Sequence, residues 1–337
     1  MELIDILQRL SATDAPSGFE QPVAELAAEL LRPYCAEVTV DPLGSVIARR
    51  PCGREGAKRV LLDAHIDEIG FVITGEDAGF LRFSNIGGVD PRVLPASTLK
   101  ILTEPPIFGV VDVMPPHVLA AGESDKAQKI EDLRLDVGGV SVPVGTPAVF
   151  AVPSTSIGEH FFMGKALDDR ACFAAIVAAL DKLGDTPLDF DVYVLASTQE
   201  EVGTRGAQPA AYAINPDFAI VADVTFGDQP DLKPHETAKL GSGASIDLCP
   251  NADRAFSKKI IAIAEKIGKP LQIFANGEGQ SGTNAAEIQL ARDGVVTALL
   301  GLPLRYMHTP SETLDLRDVD ALAEIIAETL KGGVINA

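Results

Sequence analysis

From Glu2 to Leu31 the apolar residues recur three and four positions apart, the period of an amphipathic helix. The turn-forming Pro16-Ser17-Gly18 divides that stretch into two helices. Three short β-branched or alternating runs follow, AEVTV, SVIARR and RVLLDAH. They are separated by Asp41-Pro42-Leu43-Gly44 and by a Gly/Lys/Arg-rich stretch before Val60, and they predict strands. RVLLD reads as a buried strand that delivers His65 at its carboxyl end. Between about Gly70 and His160 the pattern changes to short apolar runs (FVIT, TLKIL, FGVVDV, LRLDV, PAVFAV) broken by frequent Gly and Pro. With no helical period, this predicts a small all-β module. From Arg170 onward the helical patterns ACFAAIVAALDKL, SKKIIAIAEKI, NAAEIQLA and DVDALAEIIAETL alternate with the strand-like DFDVYVLAST, FAIVAD, LQIFA and VVTALLG. Alternation of this kind implies an α/β layer structure. The simplest architecture is one α/β domain built from residues 1–69 and 161–337, interrupted by a β-module at 70–160.

Composition narrows the class without naming a chemistry. The 337 residues are 46% hydrophobic and 23% charged, a globular balance. A formal charge of −20 repels phosphate backbones, so nucleic acid is excluded as an expected partner. Cys35, Cys52, Cys172 and Cys249 contain no C-x-x-C pair, which suggests neither a zinc ribbon nor a disulfide framework. Buried free thiols in a reducing compartment fit better. MELIDILQRL lacks the apolar core of a signal peptide, and no stretch is apolar for long enough to span a bilayer. A cytoplasmic protein with no membrane partner is the expectation.

The histidines carry more information. Only five occur, and two lie in acid-rich contexts after apolar runs: His65 in LLDAHIDEIG and His308 in LPLRYMHTPSE. Between them come Asp168-Asp169 in MGKALDDRA, Glu200-Glu201 in VLASTQEEVGTRGA and Asp223 in FAIVADVT. Each has an ordinary structural explanation, since an Asp before a helix commonly caps it and loop acids are commonly solvated. Five such sites, all following apolar runs or beginning helices, are harder to explain separately, because strand ends in an open α/β sheet converge on one crevice. Three carboxylates (Asp168, Glu201, Asp223) and a bridging hydroxide would balance two divalent ions, with the imidazoles as neutral ligands. Zinc suits this N/O mixture, and cobalt, manganese or nickel also fit. Asp67, two residues after His65, is placed to orient the imidazole through its second nitrogen.

AHIDEIG, ALDDR, QEEVGTRGA, VADVT and RYMHTPSE, in this order, resemble the motifs of the tetrahedral aminopeptidases, the glutamyl and lysyl aminopeptidase family of the co-catalytic metallopeptidases. PSGFE near the start, and IGGVDPRVLP with PPHVL in the β-module, extend the resemblance over nearly the whole chain. It implies a mixed-sheet α/β metallopeptidase domain with an inserted small all-β domain, PDZ-like or barrel. It further implies that His65 and Asp223 bind one metal, that Glu201 and His308 bind the other, that Asp168 bridges both, and that Glu200 is the general base. Neighbours on an extended segment point to opposite sides, which agrees with separate duties for Glu200 and Glu201. A cis peptide between Asp168 and Asp169 is implied as well, as is a homododecamer built from dimers through the inserted domain. The expected substrates are short peptides with a free N-terminus. Asn284 departs from the Asp common among relatives, which bears on pocket polarity or hydrogen bonding behind the site. The segment 276–284 is expected to form part of the pocket wall.

Three other functions compete. A di-metal deacylase or carboxypeptidase would keep the site and change the substrate. A glucanase would need paired carboxyls across a sugar and leaves His65 and His308 unexplained. A non-catalytic metal scaffold gains nothing from an unligated acid such as Glu200.

Overall fold

The computed structural model describes residues 2–118, 128–275 and 282–332. The two N-terminal helices form as expected, α1 (Leu3–Ala12) and α2 (Gln21–Leu31). They precede β1 (Glu37–Val40), β2 (Val46–Arg50) and β3 (Arg59–His65). The barrel strands come next: β4 (Gly70–Asp77), β5 (Phe80–Ile86), β6 (Thr98–Ile101), β7 (Ile107–Val111), β8 (Leu135–Asp136) and β9 (Pro147–Phe150). After β10 (Thr155–Ile157) and β11 (Phe161–Gly164), helices and strands alternate. These are α3 (Leu167–Leu183), β12 (Asp191–Ser197), α4 (Ala207–Ile214), β13 (Phe218–Phe226), β14 (Ser245–Asp247) and α5 (Arg254–Lys266). The series ends with β15 (Gln272–Phe274), α6 (Ala285–Ile288), β16 (Val296–Leu304), β17 (Glu312–Asp315) and α7 (Leu316–Lys331).

Eight strands form one mixed sheet in the order β1-β2-β12-β3-β13-β16-β14-β15. The central β12, β3, β13 and β16 are parallel to one another. Buried on both faces, they read as continuous apolar runs rather than alternating ones; six of the seven residues of β3 are buried. One face is covered by α3 and α7, whose apolar residues join Leu62, Ile220 and Leu300 in the larger core. The other is covered by α4 and α6, packed on Leu61, Val221 and Leu299. Asp253 caps α5 by accepting from the Phe256 amide, and Asp315 caps α7 through the Arg317 amide, each satisfying an amide that the helix cannot.

The β-module closes into a six-stranded barrel, β4-β5-β8-β7-β6-β9, which leaves it no free strand edge. Phe71 packs edge-on against Phe83 and Phe150 at its centre, with ring centroids 5.5 and 5.2 Å apart. Barrel strands run from Gly70 to Phe150, whereas β10 pairs with β11 and through it with β17. One expected feature differs. NAAEIQLA is helical only over Ala285–Ile288, because the chain turns back at Gly294 to enter β16. Asp168 and Asp169 have non-helical backbone angles at the start of α3.

A partly buried charge network joins the barrel, the N-terminal segment and the residues just after β3. Lys100 of β6 pairs with Asp14, and Lys165 pairs with Asp14 at 3.3 Å and Glu68 at 2.8 Å. Fully buried Arg170 donates to the carbonyls of Leu10, Thr13, Ala15 and Ile66 and lies 3.4 Å from Glu68. A planar five-donor guanidinium fits such a fan of acceptors as no other side chain does. Replacing it leaves four carbonyls and part of a carboxylate short of a buried partner. Arg170→Met is therefore expected to lower the unfolding free energy by about 3–5 kcal/mol, seen as a lower urea midpoint at unchanged slope.

Candidate metal centre

The site residues converge at the carboxyl ends of the central parallel strands. His65 is the last residue of β3, Glu200 and Glu201 follow β12, and Asp223 lies in β13. Asp168 opens α3, and His308 lies in the loop between β16 and β17. The registers of β3, β12 and β13 place Ser197 beside His65 and Val221 beside Asp63, so His65 and Asp223 fall in the next row on the same face.

Two triads result, His65–Asp168–Asp223 and Asp168–Glu201–His308, each with its donor atoms within 4.8 Å of one another. Asp168 belongs to both. Its Oδ1 stands 3.1 Å from Nε2 of His65 and its Oδ2 3.4 Å from Nε2 of His308, which is also 3.4 Å from Oε2 of Glu201. The Asp168–Asp169 peptide is cis, as expected.

The electrostatics of this cluster call for cations. Burial raises the carboxyls of Asp223 and Glu201, and the Asp168 charge adds to that rise. Contacts with Asp168 and Glu201 push His308 up to about 11. Burial would lower His65, but its partners Asp168 and Asp67 outweigh that and raise it well above the usual imidazole range. Burial would likewise raise Asp168, yet the two imidazoles hold it below the usual carboxylate range. Protons thus take the place of positive charge that the acids demand. Nitrogen and oxygen donors in this number and spacing fit two divalent ions sharing the Asp168 carboxylate.

Several residues hold these donors in place. Asp67 is fully buried, and its Oδ1 stands 3.4 Å from Nδ1 of His65. Its oxygens accept from the amides of Glu200 and Glu201 and from the Ser17 hydroxyl at 2.7 Å. One carboxylate therefore orients the ring and fixes the loop carrying both glutamates. Glu200 belongs to neither triad but lines the same cavity; burial, with help from the charges of Glu201, Asp67 and Asp168, pushes its carboxyl up to about 7.

The sequence reading assigned no role to Glu312, although it lies within RYMHTPSE. Its Oε2 accepts from the amides of Leu167 and Asp168, and its Oε1 from that of His308. The four-residue spacing from His308 was the available signal. Gly88 is a second such case. A Cβ there would fall 2.8 Å from Nδ1 of His308, and one at Gly87 3.2 Å from Cβ of Glu201. The loop after β5 therefore reaches the site only because it carries glycines.

Of the expected wall segment, residues 276–281 lie outside the described residues, while Gly282 and Thr283 line a cavity of about 1090 Å³ beside the triads. Asn284 sits beneath that cavity, 1% exposed, and its amide donates to Asp63 and Ser197.

Comparison with known proteins gives a concordant picture. The M42 glutamyl aminopeptidase family model matches residues 44–325. The lysyl aminopeptidase of Pyrococcus furiosus is 36% identical over 97% of both chains. Among solved structures, a TET aminopeptidase from a marine sediment archaeon of the Thaumarchaeota superposes with a TM-score of 0.91 at 31% identity, over 98% of this chain and 96% of that one. The Pyrococcus horikoshii TET1 peptidase, whose structure is described as assembling into a tetrahedron or a large octahedral shell, gives a TM-score of 0.85 at 31% identity over 98% and 99%.

Because Asp67 serves both the imidazole and the glutamate loop, its loss is expected to register in metal retention before it registers in folding. Asp67→Asn should weaken divalent-metal affinity by about 10–100-fold, measured by competition with a fluorescent chelator.

Proposed function

The chain belongs to the M42 glutamyl aminopeptidase family and is an aminopeptidase, and from that premise we propose that it removes the first residue of short peptides at a centre holding two divalent ions. The observation that carries this reading is the pair of triads sharing Asp168. His65 and Asp223 would hold one ion, Glu201 and His308 the other, and Asp168 would bridge them. Zinc is the first candidate, with cobalt, manganese and nickel as alternatives. When bound, the metal pair supplies Lewis acidity at the scissile carbonyl and a water of lowered pKa.

The protein's own groups do the rest. Glu200, held toward the cavity by the amide anchoring of its segment on Asp67, takes a proton from the attacking water on its carboxylate and returns it to the leaving amine. Asp67 keeps the His65 ring fixed throughout. Glu312 holds Asp168 and His308 at their backbone amides, so both sides of the centre move together or not at all.

We assign residues 1–69 and 161–337 to the catalytic domain and residues 70–160 to an inserted assembly module. A homododecamer built from dimers, located in the cytoplasm, completes the proposal. The shells formed by the TET1 peptidase of P. horikoshii support a large assembly here, as does the absence among the described residues of any helix able to cross a membrane for a location outside the bilayer.

Glu200→Gln is expected to retain both metals while kcat falls by about 10²–10⁴-fold; metal content by atomic emission and hydrolysis of aminoacyl p-nitroanilides report the two separately. Matched N-acetylated peptides should resist the wild-type enzyme, and turnover of blocked peptides would move the assignment to a deacylase. Light scattering is expected to give the mass of twelve chains of 35.5 kDa each, and a monomer would overturn the assembly.

A further inference from the structure

Glu200 differs from the other acids of the centre in what holds it. Asp168, Asp223 and Glu201 belong to the triads and would be fixed by the ions they bind. Glu200 belongs to neither triad, so its aim depends on the backbone that carries it. Gln199, the residue before it, has φ +55°, in the left-handed region that is costly for any residue with a Cβ. Such a turn persists only where its surroundings enforce it.

Three successive amides supply the enforcement. Those of Glu200 and Glu201 donate to the two oxygens of Asp67 at 3.1 and 3.2 Å, and that of Gln199 donates to Oε1 of Glu20 at 3.2 Å. Glu20 comes from a remote part of the chain, the segment 16–20 between α1 and α2. The same segment reaches Asp67 through the Ser17 hydroxyl. Oε1 of Glu20 also accepts from the Gly18 amide at 2.7 Å, which locks the side chain against its own loop before it meets Gln199.

The usual duty of an acid at a helix start is capping. Glu20 precedes α2 with helical backbone angles, and its side chain makes no capping bond. It is only 5% exposed, and burial raises its carboxyl further than the amides of Gly18 and Gln199 lower it. An oxygen that accepts two amides needs lone pairs rather than charge, so the hold does not depend on ionisation.

We propose that Glu20 is a positioning residue for the general base: by holding the left-handed turn at Gln199 it aims the Glu200 carboxylate at the attacking water. This inference rests on the aminopeptidase reading and on Glu200 as its base. Without an acceptor for the Gln199 amide, the turn is free to relax to an ordinary conformation, and the chain then enters Glu200 from a different direction. Glu201 is held beyond that point by its own amide on Asp67 and by its place in a triad. The loss therefore falls on proton transfer and leaves the metal-holding set intact.

The test compares Glu20→Gln with Glu20→Asp in the full-length, metal-loaded protein, on the aminoacyl p-nitroanilide that the wild type cleaves fastest. Gln keeps the length and an acceptor oxygen without the charge, whereas Asp keeps the charge and falls one methylene short of Gln199. Glu20→Asp is expected to lower kcat by about 10–100-fold, with KM within about threefold of wild type and metal content by atomic emission unchanged. Glu20→Gln should stay within about threefold of wild type in kcat. Made in the Glu200→Gln background, Glu20→Asp should lower kcat by less than about twofold, because residues that act as one unit are not additive. A merely structural residue would lower it by the same factor in both backgrounds. Four results overturn the inference and leave the aminopeptidase reading standing: wild-type kcat in Glu20→Asp, equal losses in the Asp and Gln variants, the full loss repeated in the Glu200→Gln background, or loss of metal or of the circular dichroism of the fold in Glu20→Asp. A metal-loaded wild type that cleaves no aminoacyl p-nitroanilide overturns both.

Discussion

Asp168 is the constraint on which the rest of the site depends. It is one carboxylate with an imidazole against each oxygen, and it is common to both triads. A carboxylate in that position must be held from behind, since an error of a few tenths of an ångström on one side becomes an error on the other. Glu312 supplies the hold by accepting from the Asp168 amide with one oxygen and the His308 amide with the other. Arg170 anchors the next turn to four carbonyls, three in the N-terminal segment and one, of Ile66, just after β3. The site is therefore built on a buried network of charge and backbone hydrogen bonds rather than on the ligands alone.

That dependence explains how distant parts of the chain share one centre. Asp67 collects amides from the loop after β12 and a hydroxyl from the segment before α2. Glu20 performs a similar function at the amides of Gly18 and Gln199. The barrel is fixed to the same framework by Lys100 on Asp14 and by the glycines that let its loop pass over His308 and Glu201. A movement of the barrel would thus be felt at the triads directly, through packed contacts.

Parallel strands bring the candidate metal-holding groups to one end of the sheet, while the antiparallel β14, joined to β16, extends the same face sideways.

The sequence by itself determined the strongly periodic elements and the chemistry at their ends. RVLLDAH reads as a buried strand ending in His65, because its β-branched and aliphatic core suits a sheet interior, and the scarcity of histidine made its acid-rich context informative. The helix–strand alternation after Arg170 and the Gly/Pro-broken β pattern before it likewise reflect local periods that survive folding. What lacked a local period was not legible. The three-residue β14 and the short β10 and β17 exist through their pairing partners, and the helix expected over NAAEIQLA stops where the chain must turn into β16. The backbone at Asp168 and Asp169 departs from an ordinary capped helix start for the same kind of reason: long-range partners, His65, His308 and Glu312, set it. Asp63, Ser197 and Asn284 meet only because two strands and a helix start cross there. Local pattern records what each segment must bury, and tertiary structure alone decides which buried polar groups face one another.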